Sequence, residues 1–67
     1  MSALQIKSHL EDLQAERVLA EIEGLNANRA YVLDLEGEIA ATRTAFIATA
    51  VTEIATLRAE LFGPQVG

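Results

Sequence analysis

Apolar residues recur along most of this chain at three- and four-residue steps, the spacing of one face of a helix and not of a strand. The clearest line is Val32, Leu35, Ile39, Phe46, Ala50, Ile54, Leu57 and Leu61, with Arg43 filling the one gap. It predicts a helix over about 29–62. Gly63 suits a left-handed cap and Pro64 cannot continue a helix, so the pair predicts its end and leaves 63–67 as a short tail. Upstream, Ser2 followed by Gln5 has the form of a capping box, which predicts a helix from about residue 3 to 23. Its apolar positions form two clusters. Ile6, Leu10 and Leu13 share a face with Ala20, whereas Val18, Leu19, Ile22 and Leu25 come after a five-residue step and fall more than a third of a turn away. Such a helix either touches two neighbours or is re-phased.

Between the two periodic segments lies Gly24-Leu25-Asn26-Ala27-Asn28, where Gly and Asn tolerate the left-handed conformation and either Asn can cap the second helix. The reading is a turn over 24–28 that folds the chain into a helical hairpin. One long bent helix is the competing reading, since no residue here forbids it and a helical Gly costs only ~1 kcal/mol relative to Ala. The fold class is all-α in either case.

Thr44–Thr52 is nine residues long and carries no charge. Phe46, Ile47, Ala50 and Val51 stand on one side of that stretch, and only Ala45, Thr49 and Thr52 stand on the other. A helix without a charged face calls for protein on more than one side. Length arithmetic agrees. At 1.5 Å per residue a first helix of roughly 32 Å covers a second of roughly 50 Å only to about Thr49, so Val51, Ile54, Leu57, Leu61 and Phe62 extend beyond it. The hairpin is therefore expected to be completed by oligomerisation into a helical bundle or coiled coil. The expected interface is Val32, Leu35, Ile39, Phe46, Ile47, Ala50, Val51, Ile54, Leu57, Leu61 and Phe62. Glu36 and Arg43 also fall on this stripe, one heptad apart. Across an antiparallel contact centred between Ile39 and Ala40 they would face each other's twins and fix register. The bland alternative is that both extend to water.

Size and charge narrow the possibilities. At 67 residues the chain is one small domain, marginal by itself, and without Cys it has no disulfide to staple it. The formal charge of −5 with five dispersed basic residues argues against a phosphate-binding patch, hence against nucleic acid or an anionic membrane surface as partner. No run between charges reaches the ~18 to 20 apolar residues of a spanning helix, and the N-terminus has no secretion pattern. The expected location is cytoplasmic or within a particle.

Chemistry-bearing constellations are absent. A single His, His9, with Asp12 three residues on, supplies too few ligands for a metal site. Glu21 with Glu23, or Glu36 with Glu38, are two apart and point in different directions on a helix, so neither makes an acid–base pair. Ser8 and the threonines have no nearby His to act as base, and Gly24, Gly37 and Gly63 are isolated, so no phosphate loop exists. EIAATR at 38–43 recurs nearly as EIATLR at 53–58, which is best read as coincidence in an Ala- and Glu-rich helix.

The sequence thus predicts no enzyme, no cofactor and no metal. It points to an acidic structural or assembly protein that associates with itself and docks another protein, of a kind suited to a virion or a bacterial shell. The alternative is a small regulatory module, an antagonist or adaptor, that lays its amphipathic helix in a partner's groove.

Overall fold

The computed structural model describes residues 1–63 and is all-α among them. Helix α1 spans Ala3–Ile22, a single 3-10 turn spans Leu25–Ala27, and helix α2 spans Arg29–Phe62. The two α-helices run antiparallel as a hairpin. The expected tail residues Pro64 to Gly67 lie outside the described residues.

Each boundary has a local cause. The Ser2 hydroxyl accepts from the Gln5 N–H at 3.2 Å, and the Gln5 side chain accepts from the Ser2 N–H at 2.8 Å, so a reciprocal capping box starts α1. Gly24, at φ 76°, takes the left-handed turn that a side chain would resist. Asn28 then caps α2 by accepting from the Tyr31 N–H at 3.1 Å. At the far end Gly63 donates its N–H to the Ala59 carbonyl at 2.8 Å, with φ 51°.

Packing uses the first of the two α1 clusters. Leu10, Leu13, Leu35 and Ile39 form the buried core, with Tyr31 packed against it, and Ala3, Ile6 and Ala20 are buried along the same seam. Helix α1 is regular from end to end, so the five-residue step from Leu13 to Val18 is not absorbed by re-phasing. Its consequence is that Val18, Leu19 and Ile22 are exposed.

Two polar bridges close the flanks of the seam. The Tyr31 hydroxyl donates to Glu16 at 2.6 Å, and Arg17 pairs with Glu36 at 3.0 Å. At about 100° per residue, Tyr31 and Glu36 fall on opposite sides of the Leu35–Ile39 line, so one bridge marks each flank. The carboxylate of Glu16, both as acceptor and as neighbouring negative charge, holds the Tyr31 phenol above its ordinary value. A folded-state value above the unfolded one means that this bond stabilises the hairpin below the unfolded value of 10.0 and that the stabilisation is lost as pH rises through the folded value. Tyr31 is the sole tyrosine, so an ultraviolet phenol titration reads it alone. We expect a midpoint above that of free tyrosine, returning toward it in Glu16→Gln. Equal midpoints in the two proteins would show that the bond does not form in solution.

The shape departs from that of a self-sufficient domain. The molecule measures 63 × 16 × 13 Å with a radius of gyration of 17.4 Å, against about 11 Å for a compact chain of this length. The length comes from α2, which outruns α1.

Candidate interaction surface

The overhang begins at Glu53. Its Oε1 accepts the Ala3 N–H at 2.8 Å, so the start of α1 is tied to this carboxylate. Thr49 and Ala50 are the last half-buried residues of α2, so the cover ends where the length arithmetic puts it and the Glu53 side chain reaches back to the start of α1. Past Glu53, every described residue is exposed, including Ile54, Leu57, Leu61 and Phe62 at 53–68%.

The eleven expected interface residues divide into two groups. Leu35 and Ile39 are buried, and Val32, Phe46 and Ala50 are half-buried, on the face that α1 covers. Ile47, Val51, Ile54, Leu57, Leu61 and Phe62 are exposed. The hairpin therefore uses the first half of the apolar stripe internally and presents the second half to its surroundings. Glu36, the first member of the expected register pair, is engaged by Arg17 of its own chain, and Arg43 has no carboxylate within ion-pair distance among the described residues.

A second line of residues is masked in the sequence by the first. Leu33, Ala40, Ile47, Ile54 and Leu61 stand at every seventh position of α2, and all five are exposed. They lie on the flank marked by the Arg17–Glu36 bridge. Val18 and Ile22, also exposed, stand on the side of α1 away from Glu16, which is the same flank. Such a line supplies one of the two apolar positions per heptad that a coiled-coil seam uses, and the positions three residues on are Glu36, Arg43, Ala50 and Leu57. It is hard to see because Ile54 and Leu61 belong to both lines, and the three- and four-step series is the denser of the two.

A groove of about 230 Å³ opens between the end of α1 and the start of α2, with the buried Ala20 and Leu35 below, Arg17, Glu21 and Glu36 on one side and Tyr31 on the other. Among the described residues, no cluster of three or more His, Asp or Glu side chains is placed to hold a metal, and no helix is long and apolar enough to cross a membrane. Thr52 and Thr56 donate their hydroxyls to the carbonyls of Ala48 and Thr52, both at 2.9 Å. Those hydroxyls need no partner from outside the helix.

No family model, curated protein or solved structure matches the chain. The functional reading rests on the surface itself.

Proposed function

We propose that this protein works without catalysis, as a structural or assembly component that associates with itself through α2 and docks to other protein in a larger body such as a virion or a bacterial shell. The observation that carries this reading is the stretch of α2 beyond Glu53, where Ile54, Leu57 and Leu61 are each more than half exposed on a helix that nothing among the described residues covers. Isolated apolar side chains on a surface are ordinary, but a contiguous row on a protruding helix is a contact surface or an aggregation hazard.

The magnitude supports it. The chain exposes 5242 Å², whereas a compact monomer of this mass exposes about 4,100 Å². The excess, about 1,100 Å², compares with the ~800 Å² that each partner contributes to an interface of standard size.

Molar mass in solution tests the reading. Light scattering at micromolar concentration is expected to give a multiple of 7.2 kDa. A monodisperse 7.2 kDa species with a sharp thermal transition would refute self-association. It would favour the regulatory alternative, for which the acidic half of the hairpin offers a surface suited to a basic target.

A further inference from the structure

We infer that two copies pair antiparallel along α2 with Ile47 at the two-fold axis, so that the overhang of each lies over the turn end of the other; this rests on the self-association reading above. Three observations select that arrangement.

The heptad line is the first. Leu33, Ala40, Ile47, Ile54 and Leu61 are symmetric in sequence about Ile47, so antiparallel pairing sets Leu33 against the partner's Leu61, Ala40 against its Ile54, and Ile47 against its twin. Small then meets large. A parallel pairing would instead set Ala40 against Ala40 and leave a gap in the seam.

The second is the distribution of charge. Residues 14–40 carry six carboxylates against two arginines, net −4, while residues 41–63 carry Arg43, Arg58, Glu53 and Glu60, net zero. Parallel association would lay the two acidic ends side by side. Antiparallel association lays a neutral overhang on each acidic end, and it brings Arg58, which has no carboxylate within ion-pair distance among the described residues of its own chain, level with the partner's Glu36. Like charges held together cost energy, so the charge pattern favours the antiparallel pair and a second copy over a basic partner, which the neutral overhang would not attract.

Complementary patches are the third. Among the exposed apolar residues, Ile54, Leu57 and Leu61 stand on the overhang, and Val18, Ile22 and Leu33 stand toward the turn end. Pairing about Ile47 brings each set onto the other twice, which is the isologous contact that closes a dimer. A contact centred between Ile39 and Ala40 would leave residues 54–62 beyond the end of the partner's α2.

The chain has no cysteine, so single substitutions give clean cross-linking probes. Leu33→Cys and Leu61→Cys are oxidised separately and as an equimolar mixture, after light scattering and circular dichroism show that each keeps the mass and helicity of the parent. In the proposed dimer two copies of position 33 lie ~40 Å apart, while 33 and the partner's 61 are neighbours. Each variant alone is therefore expected to remain uncross-linked, because a disulfide needs Cα atoms within about 7 Å. The mixture is expected to yield the 33–61 disulfide as its main product. Homodisulfides at 33 or at 61, or no cross-link from a protein that is dimeric by mass, would overturn the antiparallel register and leave self-association standing. A parent mass of 7.2 kDa would overturn both.

Discussion

Leu57→Glu combined with Leu61→Glu is expected to reduce the protein to a 7.2 kDa species while the helical signal of the hairpin persists. Both side chains lie beyond Glu53, where α1 has already ended, so within one chain the replacements only add charge to an exposed helix. Helix propensity barely changes, because Leu and Glu are both good helix formers. In an assembly the same positions are buried, and an ion left without a partner there costs at least about 2 kcal/mol. Four such charges per pair total several kcal/mol, enough to move a micromolar association out of the measurable range. Sedimentation of the double variant beside Ala45→Glu reads the effect, since Ala45 lies on the side of α2 away from the heptad line and that change is expected to leave the mass alone. An unchanged mass in the double variant would mean that the overhang is not where copies meet. Loss in both would mean that α2 is enclosed on two sides.

How much of this could be read from residues alone depends on the range of the interaction. The capping box at Ser2 and Gln5, the left-handed Gly24 and the Asn28 cap act within a few residues, so their spacing carries them directly. The all-α class comes equally from periodicity, since Leu10, Leu13, Leu35 and Ile39 recur at helical steps and bury together. The features that the residues do not disclose depend on register between the helices. Arg17 looks like any solvated helix charge until the turn places it opposite Glu36, and Glu16 becomes notable only when Tyr31 reaches it. Glu53 caps α1 from fifty residues away, which no local pattern encodes. The heptad line is obscured for a different reason. It shares residues with a denser stripe, and the two separate only once α1 is seen to cover one of them.

That separation makes the core and the overhang distinct in energetics. The hairpin itself rests on few buried side chains, so Leu35→Ala is expected to be severe. Leu35 is 6% exposed and packs in the four-residue cluster with Leu10, Leu13 and Ile39. Truncating a buried Leu to Ala costs about 2–5 kcal/mol through lost transfer free energy and the cavity left behind. A chain of this size has only roughly 3–10 kcal/mol of stability in total, so a large share disappears. At about 4–8 °C per kcal/mol, the melting temperature is expected to fall by at least about 8 °C. Thermal denaturation monitored by circular dichroism measures it. Protein concentration distinguishes this effect from a change at the contact between copies. If association stabilises the folded state, the parent's melting temperature rises with concentration by mass action, and Leu35→Ala keeps that slope while shifting the whole curve down. The Leu57→Glu, Leu61→Glu variant does the opposite, losing the slope and converging on the parent's low-concentration limit. A Leu35→Ala protein that melts with the parent would show that the α1–α2 seam does not hold the chain together, and that the helices owe their stability to contacts outside the hairpin.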